Sequence, residues 1–128
     1  MVHDKQRILV VEDQQEVQSI ISVKLERAGF EVFHSYNGAE ALRFLDTETV
    51  DLVVLDLMLP LVSGKEVLLS IRHHARTKDI PVLVLTAKTL ESDVVETMAL
   101  GADDYMKKPF DPAELIVHIR RLIELKHA

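Results

Sequence analysis

The chain contains no cysteine, and this absence excludes a disulfide framework and any metal or redox site built on thiolates. It also lacks an apolar stretch close to the ~20 residues that a membrane-spanning helix needs. The first residues, MVHDKQR, do not form the apolar region of a secretory signal peptide. These absences predict a cytoplasmic protein with no membrane interaction.

Basic character is also missing, since the formal net charge is -6 and the pI is about 5.5. This charge balance argues against direct binding of nucleic acid. The 128 residues, of which 48% are hydrophobic, fit one domain with one sizeable core. Repeats, low-complexity segments and linkers are absent from the sequence. We therefore expect residues 1–128 to form a single domain.

Short apolar runs alternate with longer amphipathic segments along the whole chain. Asn37 and Asp111 are the predicted caps of two of the amphipathic helices. The runs rich in Val, Leu and Ile predict a parallel sheet with helices on both faces, which is a doubly wound α/β fold. The predicted strands are Ile8–Val11, Glu31–Ser35 (an edge strand), Asp51–Asp56, Pro81–Thr86 and Asp104–Met106, and the predicted helices are Gln15–Ala28, Ala39–Leu45, Gly64–Arg72, Ser92–Leu100 and the segment after Asp111.

Charged and hydroxyl side chains stand at the ends of four of these apolar runs. Glu12-Asp13 follows the first run, Asp56 ends the third, Thr86 ends the fourth, and Lys108 comes shortly after the fifth. In open α/β sheets, ligands bind beside the carboxyl ends of the strands. Carboxylates gathered there repel each other unless a positive charge is present. A divalent cation and a phosphoryl group would satisfy such a cluster.

The ordered set of motifs resembles the receiver domain of two-component response regulators, from Arg7 to about Leu125. The resemblance implies a flavodoxin-like or CheY-like three-layer sandwich with the strand order 2-1-3-4-5. It also implies a cis peptide bond between Lys108 and Pro109, a conformation that proline makes accessible. The motifs are Glu12-Asp13, the run NGAEA that begins at Asn37, Asp56 with Pro60 and Gly64, Leu85-Thr86-Ala87, the run GADDY that begins at Gly101, and Lys108-Pro109-Phe110.

The resemblance further implies a Mg²⁺ site, for which Mn²⁺ is an expected substitute. Asp13, Asp56 and the main-chain carbonyl of Met58 would bind the cation directly, and Glu12 would act through water. Mg²⁺ prefers oxygen ligands and keeps several waters, so one or two carboxylates suit it. Glu12 or Asp13 is also compatible with a second role as the cap of the first helix.

Asp56 is the phosphoryl acceptor that the resemblance implies, and the donor would be a phosphohistidine on a sensor histidine kinase or phosphotransfer protein. Thr86 and Lys108 would hold the phosphoryl oxygens, because negative charge spreads over these oxygens during transfer. Met58 and Lys88, each two residues beyond a site residue, are expected to shield the phosphoryl group.

Thr86 and Tyr105 are the expected switch residues, with Tyr105 moving inward when Thr86 is drawn to the phosphoryl group. An ordinary aromatic residue on an edge strand explains Tyr105 equally well. The surface formed by the fourth helix, fifth strand and fifth helix would change on phosphorylation and would hold a possible homodimer. His118 departs from this pattern, since many such regulators have an arginine there that pairs with an acid across the interface.

The predicted function is therefore a phosphorylation-activated switch that catalyses its own phosphorylation and slow autodephosphorylation, and is not otherwise an enzyme. The alternative is a pseudo-receiver that only binds protein. An aspartate-nucleophile phosphatase would need a second aspartate where Met58 stands. A flavodoxin-type carrier would need a phosphate loop where the sequence has the anionic run EDQQE, beginning at Glu12.

Overall fold

The computed structural model describes residues 5–87 and 91–127, which alternate five strands with five helices. The predicted elements are confirmed in type and order, with ends that differ by one or two residues. None of the helices in this described part of the chain combines the length and apolar character that a bilayer crossing requires. The elements are β1 (Arg7–Val11), α1 (Gln15–Arg27), β2 (Glu31–Ser35), α2 (Gly38–Thr47), β3 (Leu52–Asp56), α3 (Gly64–His73), β4 (Val82–Thr86), α4 (Glu91–Ala99), β5 (Asp104–Lys107) and α5 (Pro112–His127).

The five strands form one parallel sheet in the order β2-β1-β3-β4-β5, as the resemblance implied. The edge position expected of β2 is confirmed, and β5 is the other edge strand. The register pairs Val11 with Leu55 and Asp56 with Leu85. It also pairs Thr86 with Lys107. The residues that follow β1, β3, β4 and β5 therefore meet at one edge of the sheet.

Alternation along the strands divides the core into two apolar clusters, one on each face of the sheet. Ile8 and Val10 of β1 face the cluster that α1 and α5 complete, whereas Leu9 and Val11 face the cluster that α2 and α3 complete. Burial on both faces explains why β1, β3 and β4 are continuous apolar runs. The outcome is the predicted three-layer sandwich.

Helix starts follow the capping predictions in α2 and α5 but not in α1. The Asn37 side chain accepts a hydrogen bond from the Glu40 amide at 2.9 Å, and Asp111 accepts one from the Ala113 amide at 2.8 Å. In the described structure Gln14 is the cap residue directly before α1, and its side chain makes no capping hydrogen bond. Because Gln14 holds the cap position, neither Glu12 nor Asp13 is the cap of α1.

Gly64 is the point at which α3 approaches the end of β3 most closely. Its amide donates to the Leu57 carbonyl at 3.0 Å. A Cβ atom added to Gly64 would lie 2.4 Å from the Asp56 carbonyl oxygen and 2.4 Å from the Leu57 Cα. These are main-chain atoms, which cannot move aside as the end of a flexible side chain can. The glycine therefore allows the helix to start directly against the strand that carries Asp56.

We expect Gly64→Ala to destabilise the fold by about 2–3 kcal/mol, because overpacking forces the main chain to shift. Gly29→Ala is the matched control, since Gly29 has φ +99 and its added Cβ meets nothing within 4 Å. That control should lose only about 1 kcal/mol from the left-handed backbone. Urea unfolding of both variants provides the comparison. If Gly64→Ala loses no more unfolding free energy than Gly29→Ala, the close approach of α3 to β3 does not require glycine.

Candidate functional site

Three carboxylates converge at the carboxyl edge of the sheet. Glu12 and Asp13 follow β1, and Asp56 ends the neighbouring strand β3. One carboxylate oxygen from each of the three residues lies within 4.8 Å of the other two. Glu12 and Asp56 are buried, whereas Asp13 is exposed. The structure therefore brings together the three acidic residues that the sequence placed at this edge.

Lys108 supplies positive charge to this acidic cluster. Its Nζ donates to Asp56 Oδ2 at 3.0 Å and also contacts Glu12 Oε1 directly. The main chain of Lys108 is fixed as well, because its amide donates to the Thr86 carbonyl at 2.9 Å. The peptide bond between Lys108 and Pro109 is cis, as expected. The direct contact between Lys108 and Glu12 was not part of the sequence prediction.

The pKa values of Glu12 and Lys108 are both raised in the cluster, but for different reasons. Burial raises the pKa of Glu12 to about 7, with a further increase from the Asp56 charge, although the hydrogen bond from Lys108 opposes the change. Burial alone would lower the pKa of Lys108, but its hydrogen bonds to Glu12 and Asp56 outweigh burial and raise that pKa. Negative charge is therefore in excess in the pocket, which favours an added cation.

Met58 and Thr86 are two further predicted site residues, one just beyond the end of β3 and the other at the end of β4. Asp56 Oδ1 accepts a hydrogen bond from the Met58 amide at 3.0 Å, which fixes the carboxylate relative to the following loop. Thr86 is fully buried and lies one residue beyond Leu85, the residue that pairs with Asp56 across the sheet. The Asp56 carboxylate, the Thr86 hydroxyl and the Lys108 ammonium are thus carried at or just beyond the ends of neighbouring strands.

The oxygen donors of this pocket fit a hard divalent cation. Carboxylates and main-chain carbonyls are the ligands that Mg²⁺ takes, and it tolerates a site with only a few protein ligands. The exposed Asp13 leaves one side of the cluster accessible from solvent. The assignment of the Met58 carbonyl as a ligand stays a prediction. The Met58 side chain is about half exposed, and Lys88 lies outside the described residues.

Tyr105 lies on the edge strand β5 and is partly exposed, packed against the cluster on the α2 and α3 face. Burial raises the pKa of its hydroxyl, and the nearby Asp93 charge raises it further. This position on β5 agrees with a switch residue and with an ordinary edge-strand aromatic. The switch role of Tyr105 therefore remains a prediction.

His118 pairs with an acidic residue of its own chain, Asp104. Its Nδ1 lies 2.5 Å from Asp104 Oδ2, and Arg121 donates to the same oxygen at 2.8 Å. Burial would raise the pKa of Asp104, but the hydrogen bond from His118 and the charges of both neighbours lower it. Asp104 is therefore paired within the chain, at the junction of β5 and α5.

Gln18 is a buried polar residue for which the sequence pattern indicated no role. Apolar side chains recur every four residues along α1, at Val17, Ile21 and Leu25, but Gln18 is more buried than Val17 in the structure. Gln18 is three residues before Ile21 and seven before Leu25. A glutamine at a core-facing helical position was the available signal, because such a residue needs internal hydrogen-bond partners.

A comparison with known protein families decides the family of the chain. The family described as "Response regulator receiver domain" matches residues 8–120. This chain belongs to that family. The receiver domain is 42% identical over 117 residues to the alkaline phosphatase synthesis transcriptional regulatory protein PhoP of Bacillus subtilis, with 91% of this chain and 48% of PhoP covered. It spans about half the length of the curated relatives it matches.

Solved structures agree with this family. The chemotaxis protein CheY4 of Vibrio cholerae superposes with a TM-score of 0.87 at 30% identity, covering 92% of this receiver domain and 98% of that chain. The receiver domain of the sensor histidine kinase PA1611 from Pseudomonas aeruginosa PAO1 superposes with a TM-score of 0.87 at 32% identity, covering 94% and 98% of the two chains. That domain has a magnesium ion coordinated in its active site cleft.

We expect Glu12→Gln to stabilise the metal-free receiver domain increasingly as pH rises. The pKa of Glu12 is raised from 4.5 to about 7 on folding. A raised carboxyl pKa contributes stability below the unfolded value, and this contribution is lost as pH rises through the folded value. The gain of the variant over wild type should therefore grow between about pH 5 and pH 8, to at most about 3 kcal/mol.

Urea unfolding at several pH values in the presence of EDTA measures this gain. Glu26→Gln is the control, because Glu26 is an exposed carboxylate on α1. A gain for Glu12→Gln that is constant, or that shrinks as pH rises, would contradict the raised pKa.

Proposed function

We propose that this receiver domain is a phosphorylation-activated switch in which Asp56 accepts a phosphoryl group. The observation that carries the proposal is the buried Asp56 carboxylate, held 3.0 Å from Lys108 beside Glu12 and Asp13. An Asp56 carboxylate oxygen attacks phosphorus, and the phosphorus–nitrogen bond of a phosphohistidine breaks. The imidazole leaves with the bonding electrons. The donor is a sensor histidine kinase or a phosphotransfer protein.

The acidic cluster is the proposed site for Mg²⁺ or Mn²⁺. Asp13, Asp56 and the Met58 carbonyl would hold the ion, and Glu12 would act through water. When bound, the ion would offset the negative charge of the carboxylates and the incoming phosphoryl group. Support comes from the all-oxygen donor set and from the magnesium ion in the PA1611 receiver domain.

Lys108 and Thr86 have separate roles in the proposed reaction. Lys108 holds a fixed positive charge beside Asp56, and this charge opposes the negative charge that develops on the phosphoryl oxygens. Thr86 offers a hydroxyl from the end of the adjacent strand. The domain acts on its own Asp56 and dephosphorylates slowly, and it turns over no other substrate. A pseudo-receiver that only binds protein would not need this set of contacts.

The proposed output surface consists of α4, β5 and α5. Val95 and Met98 on α4 and Val117 on α5 are exposed apolar side chains on these elements. We propose that phosphorylation changes this surface and permits a homodimer to form through it. The domain binds no nucleic acid directly and works in the cytoplasm.

Asp56 should be the sole site of phosphorylation. Incubation with Mg²⁺ and acetyl phosphate should add one phosphoryl group to wild type and none to Asp56→Asn, because an amide is not a nucleophile in this reaction. Intact mass spectrometry measures the gain. Asp111→Asn is the control, since Asp111 is an exposed helix cap, and it should be labelled like wild type. Equal labelling of Asp56→Asn and wild type would exclude the assignment.

Thr86→Ala should separate phosphorylation from the switch. The variant loses a hydroxyl whose hydrogen bond to a charged acceptor is worth ~1.5–3 kcal/mol. Phosphorylation should persist, because Lys108 remains beside Asp56. Phosphorylated wild type should show altered hydrogen exchange between Thr86 and Tyr105, and phosphorylated Thr86→Ala should not.

Two further variants complete this experiment. Thr86→Ser keeps the hydroxyl and should retain the wild-type change in hydrogen exchange. Lys108→Ala removes a full positive charge and should impair the coupling more than Thr86→Ala does. If phosphorylated Thr86→Ala still shows the wild-type change, Thr86 does not transmit the signal, and the loop after Asp56 becomes the expected route.

A further inference from the structure

A buried glutamine, Gln18, lies on α1 beside the turn that carries Glu12 and Asp13. The side chain is only 1% exposed, although glutamine is usually found at the surface. A buried carboxamide has two donor hydrogens and an acceptor oxygen, and it costs stability unless they are paired. Its partners therefore show which parts of the structure it holds.

The amide nitrogen of Gln18 binds main-chain carbonyls from three segments. Nε2 lies 2.8 Å from the carbonyl oxygen of Val10, 3.0 Å from that of Ser35 and 3.3 Å from that of Glu12, so its two hydrogens are shared among three acceptors. Val10 belongs to β1 and Ser35 ends β2, whereas Glu12 begins the turn into α1. The Glu12 amide also donates to the Ser35 carbonyl at 3.1 Å. The turn is thus tied to two strand ends through one side chain.

The amide oxygen of Gln18 fixes the orientation of the group. Oε1 lies 3.0 Å from His34 Nδ1, and Ser22 Oγ lies 3.2 Å from the same nitrogen. Because Oε1 can only accept, His34 must carry a hydrogen on Nδ1. A rotation of the carboxamide by half a turn would place Oε1 against the carbonyl oxygens of Val10 and Ser35. The contact with His34 therefore keeps Nε2 directed at the turn.

We propose that Gln18 is a positioning residue that holds Glu12 and Asp13 in the geometry needed to bind a divalent cation. The inference rests on the proposed function of the acidic cluster. Mg²⁺ demands near-ideal octahedral geometry, so its affinity depends on how closely the ligands are already placed. The main-chain carbonyl of Glu12 lies 3.3 Å from Gln18 Nε2, and the Glu12 and Asp13 side chains project from that same short segment.

The central test is Gln18→Met, which keeps the length of the side chain and removes its hydrogen bonds. Isothermal titration calorimetry on the unphosphorylated domain should show a Mg²⁺ Kd about tenfold weaker than wild type, as for loss of an outer-shell partner. With acetyl phosphate as donor, the Mg²⁺ concentration for half-maximal rate should rise by a similar factor. The rate at saturating Mg²⁺ should stay within about twofold, since Gln18 touches no reacting atom.

Thr77→Val is the matched control. Thr77 is also buried, and its Oγ1 donates to the Ile71 carbonyl at 2.7 Å, but it lies between α3 and β4, at the opposite edge of the sheet. This variant should lose stability and keep the wild-type Kd for Mg²⁺. An unchanged Kd in a folded Gln18→Met would overturn the inference, and so would an equal weakening in both variants.

His34→Ala keeps the test decisive if Gln18→Met does not fold. His34 is exposed, and its removal takes away the donor to Gln18 Oε1 without emptying the core. Its Mg²⁺ Kd should weaken by about threefold, less than for loss of the amide. An unchanged Kd in that case would overturn the inference. If the wild-type domain binds no Mg²⁺, the proposed cation site is wrong. If the wild type binds Mg²⁺ and the variants bind it equally well, only the inference about Gln18 is wrong.

Discussion

The carboxyl edge of the sheet depends on one electrostatic constraint, which is that buried acidic side chains need a positive charge beside them. Glu12 and Asp56 are both buried within a few ångströms of each other, and the ammonium of Lys108 contacts both. Removing Lys108 would leave two buried carboxylates without a positive charge beside them, which is costly. The ends of β1 and β3 and the segment after β5 are therefore held in register by charge as well as by sheet hydrogen bonds.

The parallel sheet places these groups without requiring that they be near in sequence. Apolar side chains on alternating strand positions fill the two faces, so polar groups are confined to the strand ends. Gly64 then allows α3 to begin against the main chain of Asp56 and Leu57. The buried core therefore sets the positions of the strands, and the strand ends set the positions of the site residues.

Most of the fold and the members of the site followed from local patterns. Continuous apolar runs identified β1, β3 and β4, and the residues that end them identified Asp13, Asp56 and Thr86. Periodicity could not predict that Lys108 would contact Glu12, because that contact joins segments far apart in the chain. The role of Gln18 was not predicted for another reason. Its Nε2 partners are main-chain carbonyls, which every residue has, so no residue type in the sequence marks them. The inward or outward position of Tyr105 depends on a side-chain rotation and leaves no periodic pattern.

The contact between Lys108 and Glu12 joins residues that are 96 positions apart, and β3 and β4 lie between their strands in the sheet. Such long-range contacts form only after the intervening chain has closed into its final arrangement. A chain that has emerged only as far as β4 contains Asp56 and both neighbouring acids, but not the lysine that balances their charge. The proposed capacity of Asp56 to accept a phosphoryl group would therefore arise late in folding, after β5 and the segment that follows it have joined the sheet.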